Sequence, residues 1–370
     1  MILARIGTRL RQQIYARQRA GAFQRPFDAG ASRRLLLLAV DHRIPQSQYY
    51  PFHHYARDFR DRLDCDIREV GMEEYGRSAS HPEDATTVCY QSHFDMSDAV
   101  LARDMAAIRA RNPEARIIYM DWFAPTDLRM AARVAPHVDG YLTKHLLRDR
   151  ARYDLPTYGD TTLMDYYGRR FGLDHEERQF PIPDGFWKTL HLGPSFATAD
   201  FMLPAFLRGK RPGGVRPIDL HARIAVEGTP WYAAMRAECA SAVAALDGVR
   251  CVTGTGIRHG RFLRELRASK VCFSPFGYGE VCWRDYEAVM TGAVLLKQDM
   301  SHVMTDPDIF APDETYVPVR WDLSDFAERL EWILRDDAAR ARIACAAFER
   351  LRDYARSRRF IDQMAPVIGA

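Results

Sequence analysis

The sequence predicts the α/β class, as two doubly wound domains, each a parallel sheet wrapped by helices, with a cleft between them. Three observations predict it. Short apolar runs alternate with helical stretches from residue 34 to the C-terminus, the order that builds parallel sheets. Several of the runs, at 35–40, 116–120 and 271–274, are apolar nearly throughout, as a strand covered on both faces requires. The chain has 370 residues, 47% of them hydrophobic, which is too long for one small domain and enough for two cores.

Residues 1–33 read as a basic leader, with eight arginines between Arg5 and Arg33 or just beyond it at Arg34, against one acid, Asp28. Met1, Ile2, Leu3, Ile6, Leu10 and Ile14 share part of one helical face. A solvated leader and a helix lying on an anionic membrane surface both stay open. Residues 34–212 form the first domain. Strands are expected at 35–40, 67–70, 86–90, 116–120 and 138–142, a loop at 41–50, and helices at 52–63, 97–111 and 126–134. Ser97 caps the second of these helices and Asn112-Pro113 stops it. Residues 146–215 are irregular, and 208–216 (RGKRPGGVR) reads as a linker by its Gly, Pro and charge content. Residues 213–370 form the second domain. Strands are expected at 218–226, 250–252, 271–274, 293–297 and 316–319. Helices are expected at 229–246, opened by Pro230, at 260–268, at 281–291, closed by Gly292, and at 324–334 and 337–356.

The net charge of +3 does not call for nucleic acid. No run approaches the ~18 apolar residues that span a membrane, and the N-terminus lacks the apolar stretch of a signal peptide. A cytoplasmic location follows, with the leader as the one route to membrane association. The seven cysteines form no CxxC pair and read as reduced, mostly buried thiols. Asp64-Cys65-Asp66 and Asp306-Pro307-Asp308 have DxD form but sit in polar turns. No metal and no cofactor is expected.

The chemistry concentrates in residues 274–297. A strand ends at Ser274, Gly277 and Gly279 let the backbone turn and leave room for a ligand, and a helix then starts with its amides facing the loop. Glu280 and Glu287 are seven apart, which places both carboxylates on one helical face, roughly 10 Å apart. Arg284 lies between them and suits a phosphate.

This segment resembles the donor site of GT-B glycosyltransferases, the retaining and exostosin-like kinds in particular. The match is carried by Glu287-Ala288-Val289-Met290-Thr291-Gly292 leading into an apolar strand. The glutamate before it, Glu280, stands one residue closer than is usual in the family. The resemblance implies two Rossmann-like domains of GT-B type, with a last helix that crosses back to the first domain. It implies a metal-independent hexosyltransferase-like enzyme that moves sugar from a nucleotide-sugar to the hydroxyl of a glycan or glycolipid. It implies donor contacts from Ser274, Gly277, Gly279, Glu280, Arg284 and Glu287. It also implies a basic group on the diphosphate, for which Arg223 and Lys297 are the candidates. On the acceptor side, His93, Asp121 and Asp41 follow strands that face the cleft, and His93 or Asp121 is the expected catalytic residue. A non-catalytic sugar or nucleotide binder, and a GT-B-type nucleotide-sugar epimerase, share the same fold and remain alternatives.

Overall fold

The computed structural model describes residues 25–75, 82–209 and 211–370. Most of the basic leader, and with it the membrane-surface reading, lies outside the described residues. Among the described residues no helix is long and apolar enough to cross a membrane.

Two parallel sheets organise the chain. The first contains β1 (Arg33–Ala39), β2 (Cys65–Gly71), β3 (Thr87–Tyr90), β4 (Arg116–Met120), β5 (Gly140–Thr143) and β6 (Leu190–Leu192), in the order β2-β1-β3-β4-β5-β6. The second contains β7 (Ile218–His221), β8 (Cys251–Val252), β9 (Ser269–Phe273), β10 (Val294–Gln298) and β11 (Val317–Val319), in the order β8-β7-β9-β10-β11. Every neighbouring pair in both sheets is parallel. In each sheet the second strand lies on one side of the first and the third strand on the other. The winding reverses there, and open α/β sheets bind ligands at such a switch point.

The apolar run in β1 is buried on both faces. Leu35 and Leu37 join a core that continues into the second domain through Leu220 and Val271, while Leu36 and Leu38 join a separate core on the other face. This alternation is the two-residue period of a strand. Each fully buried leucine contributes on the order of 1.5–3 kcal/mol. The helices of six residues or more are α1 (Arg43–His54), α2 (Ala56–Leu63), α3 (Asp98–Arg111), α4 (Thr162–Phe171), α5 (Leu203–Arg208), α6 (Pro230–Ala244), α7 (His259–Arg267), α8 (Trp283–Thr291), α9 (Phe326–Arg335), α10 (Asp337–Ser357) and α11 (Arg359–Met364), and the helix expected at 126–134 is reduced to one turn, Ala131–Val134. Ser97 caps α3 through its Oγ, which accepts from Val100 N at 3.3 Å, as expected.

Three expectations need correction. Residues 41–50 are not a loop. From Arg43 on they form α1, capped by His42, because Tyr49, Tyr50 and Phe52 gain burial in the core that outweighs Pro45 and Pro51. The strand expected at 218–226 ends at His221, so Arg223 lies in the loop beyond it. Residues 146–215, read as irregular, supply β6, α4 and α5. Helix α4 docks on the second domain, where Tyr167 Oη donates to Trp321 O at 3.1 Å and Arg170 pairs with Glu238 at 2.6 Å.

The chain ends on the first domain. Tyr55 Oη donates to Ala355 O at 2.9 Å, the Phe360 ring meets Phe52 at 4.9 Å, and Arg116 reaches Pro366 O at 3.3 Å. All seven cysteines are free thiols, and Cys345 is exposed.

Candidate active site

The strand ends of the two sheets face each other. Thr126, beyond β4, donates to Glu280 Oε2 at 2.6 Å, and His302, beyond β10, stands 3.8 Å from Glu280 Oε1. A two-residue ladder, Val303–Met304 against Leu146–Leu147, joins the domains beside this contact. Burial works against a charged Glu280, but His302, Thr126 and His145 outweigh it and hold the carboxyl below its ordinary range.

Several residues expected to hold the donor serve instead to build the loop. Helix α8 starts at Trp283, so Glu280 precedes the helix and does not share a face with Glu287. Gly279 leaves no room for a ligand, since a Cβ there would lie 1.8 Å from Ala124 O. Gly277 packs toward Cys282. Ser274 is fully buried and its Oγ donates to Asp285 Oδ1 at 2.6 Å. Lys297 is equally buried, 3.3 Å from Asp285 and 3.1 Å from Ser274 O, so its ammonium is spent beneath the loop rather than on a diphosphate. Arg223 is bound by Glu265 through contacts of 2.6 and 3.1 Å. Each of these charges has found an internal partner because burial without one is costly.

Two of the expected donor residues lie on α8, one with an unpartnered nitrogen and one paired with an exposed histidine. Arg284 sits in its first turn, half-buried, and its Nε is buried with no partner. Glu287, one turn further on, lies 2.6 Å from His259 Nε2 on α7. The loops around them are held by Arg236, which donates to Ala225 O, Pro275 O and Phe276 O at 2.8–3.1 Å and so ties the segment after β7 to the segment after β9.

The first domain differs more from expectation. His93 is exposed, 3.9 Å from Glu73, and Asp121 is buried, accepting from Tyr141 Oη at 2.5 Å and Phe123 N at 2.9 Å. Asp121 therefore builds a turn and does not open onto the cleft. The cavity between the domains, ≈ 380 Å³, is lined by Asp41, His42, Arg43, Gln46, Ser47, Tyr50, Ala199, Asp200 and Trp283, and neither His93 nor Asp121 is among them. Of the strand-end acids considered, Asp41 alone reaches it. Most of this lining was missed because residues 41–50 read as a loop and 199–200 as an irregular stretch. The one available signal was a polar, aromatic segment directly after the first strand.

Trp283 links this cavity to α8. Its ring stacks on Phe196 at 4.4 Å and on Phe201 at 5.5 Å, and the Arg43 guanidinium lies 5.1 Å from it. Lys144, beyond β5, is buried 4.7 Å from the Phe196 ring, and burial lowers its pKa to about 8. The two DxD segments are engaged elsewhere. Asp66 pairs with Arg60 and Arg68, and Asp306 with Arg359. Among the described residues no cluster of three or more metal-ligating side chains occurs.

Burial gives the junction a pH dependence. Burial, then neighbouring Lys144, lowers the His145 pKa to about 4, and burial, then Arg284, does the same for His221. Both rings are neutral in the fold and protonate on unfolding below the ordinary 6.5, so stability falls as pH drops from 6.5 to about 4. Asp121 has the opposite sign. Burial raises its pKa to about 6 from 3.8, so its uptake of a proton favours the fold over that window. Other groups add to the native slope, since burial also lowers His54 and His191 and raises Asp127, Asp200 and Asp285. The assignment therefore predicts differences between proteins: from pH 6.5 to 4, His145→Gln should lose less melting temperature than the native protein and Asp121→Asn should lose more. Thermal melts in which both variants keep the native slope would contradict it.

No family model matches the sequence, and no curated protein matches it. Solved structures do resemble it in chain path. An α-glucosyltransferase in complex with UDP-glucose and DNA containing an abasic site shares 10% identity over 93% of this chain and 100% of that one, with a TM-score of 0.46. TarM shares 8% over 88% of this chain and 58% of that one, at 0.45. A glycosyltransferase from Rickettsia africae ESF-5 shares 6% over 91% and 99%, at 0.47. At such identities and TM-scores the likeness assigns this chain no chemistry, which has to be read from its own residues.

Proposed function

We propose that the protein is a glycosyltransferase that moves a sugar from a nucleotide-sugar donor to a hydroxyl acceptor across the cleft between its two Rossmann-like domains. The observation that carries this reading is Arg284, whose Nε is buried and partnerless in the first turn of α8, beyond the switch point of the second sheet. A buried donor without an acceptor is costly unless a ligand completes it. In the transfer, the bond from the sugar's anomeric carbon to the diphosphate breaks, a bond to the acceptor oxygen forms, and the acceptor's hydroxyl proton passes to the departing diphosphate. Negative charge grows on the diphosphate, where Arg284 and the N-terminal end of α8 would stabilise it. Glu287 would accept from the ribose hydroxyls. The cavity at the start of α1 would hold the acceptor, with Trp283 as the wall shared by both substrates.

A thermal-shift screen against UDP, GDP, CMP, ADP and their sugar conjugates tests the reading, because a ligand of the folded state raises the melting point by mass action. One nucleotide family is expected to stabilise the protein, and no shift with any of them would count against the proposal. Glu287→Ala should then weaken that nucleotide-sugar by about 1–3 kcal/mol in calorimetry. Unchanged affinity would remove Glu287 from the site.

A further inference from the structure

We infer that the acceptor is a neutral oligosaccharide, with its terminal sugar in the cavity at the start of α1 and its preceding sugars on an aromatic strip formed by His42, Trp122 and Phe94. This deepens the glycosyl-transfer reading and rests on it. The cavity places carboxylates, Asp41 and Asp200, beside the guanidinium of Arg43 and the amide of Gln46. A sugar hydroxyl both donates and accepts, so a lining that mixes acceptors and donors within one small volume matches a polyol. Arg43 is oriented by the Phe201 and Trp283 rings, 4.9 and 5.1 Å from its guanidinium carbon, which leaves the planar fork pre-positioned.

The strip continues from this lining. The His42 ring lies 6.3 Å from that of Trp122, Trp122 lies 5.1 Å from Phe123, and Phe123 lies 6.5 Å from Phe94, whose side chain is 66% exposed. These residues follow β1, β4 and β3, so the strip crosses the switch point of the first sheet. Trp122 is pinned by its Nε1, which donates to Ser92 O at 2.8 Å. A fixed, partly open run of rings beside a polar cavity is a surface for ligands with apolar faces and polar edges, which pyranoses have.

Charge selects among occupants. The exposed acids Asp41 and Asp95 lie on two of the loops that carry the strip, and exposed Glu73, in the segment after β2, stands 3.9 Å from His93 beside it. Acids here repel the phosphates of a nucleic acid and the headgroups of an anionic membrane, while a neutral glycan meets no such cost.

The test is calorimetry on the full chain, with glucose, N-acetylglucosamine, galactose and mannose series from monosaccharide to hexasaccharide. A single-stranded DNA oligomer and the nucleotide found by thermal shift are titrated in parallel. One sugar series is expected to bind, with affinity rising about tenfold or more from monosaccharide to tetrasaccharide. Phe94→Ala, at an exposed position the fold does not need, and Trp122→Leu should flatten that rise while monosaccharide and nucleotide affinity stay unchanged. Nucleotide binding with no affinity for any sugar series overturns the inference and leaves the donor reading standing. So does a length dependence that both variants leave intact, or binding of the DNA in place of the sugars. Failure of the nucleotide and the sugars together overturns both readings.

Discussion

Replacing Arg284 with alanine is expected to weaken nucleotide-sugar binding about ten- to a hundredfold without lowering the melting temperature. Hydrogen bonds to a charged group contribute about 1.5–3 kcal/mol, and each 1.4 kcal/mol is about tenfold in affinity. The second half of the expectation separates a ligand-binding arginine from a structural one. Lys297 and Arg223 have acidic partners at 3.3 Å or less: truncating Lys297 would strand the fully buried carboxylate of Asp285 and cost stability, while truncating Arg223 would leave the partly buried Glu265 with Arg261 alone. Arg284 has a buried Nε with no acceptor, so its removal relieves the fold of an unpaired group. Calorimetry and thermal melts on the same variant decide the matter. Unchanged affinity would place the diphosphate elsewhere, and a large loss of stability would make Arg284 part of the scaffold.

Gly279→Ala is expected to be the most disruptive single-methyl change in the cleft, destabilising the protein by about 3 kcal/mol or more. Backbone strain is not the cause. The added Cβ would lie 1.8 Å from Ala124 O and 2.4 Å from Ala124 C, and these are backbone atoms that cannot swing aside. The loop at 124–126 must retreat, which breaks the 2.6 Å bond from Thr126 to Glu280 and leaves a buried carboxylate short of a donor. Because this contact sets how the two domains meet, turnover should fall along with the melting temperature. Thr126→Val is the control. It removes the same hydrogen bond without the clash and should cost about 1–3 kcal/mol. An alanine variant that melts with the native protein would show that the domains do not meet at Gly279.

The correction at Gly279 shows how far a motif can be read. Gly277, Gly279 and Glu280 have the residue types of a ligand loop, and nothing local separates a glycine that makes room for phosphate from one that makes room for a neighbouring carbonyl. The carbonyl comes from Ala124, more than 150 residues earlier in the chain, as the span from Thr126 to Glu280 shows. Lys297 and Ser274 are taken up within their own segment instead. Their partner, Asp285, belongs to the same segment, but only the closed loop puts all three within 3.3 Å. Cavity residues such as Arg43 and Asp200 stayed hidden because neither lies in a recognisable pattern.

What the sequence determined by itself was whatever depends on local periodicity. Apolar runs such as Leu35–Leu38, the serine cap of α3, Pro230 at the start of α6 and Gly292 at the end of α8 specify their elements within a few residues of chain. Their β-α order then implies two parallel sheets. Arg284 and Glu287 were legible as candidates because α8 itself carries both. The tertiary structure alone decided which polar groups are spent on each other and which are left for a ligand. Pairing depends on distance in space and on the cost of burying an unpaired charge, and neither is written in the spacing of residues along the chain.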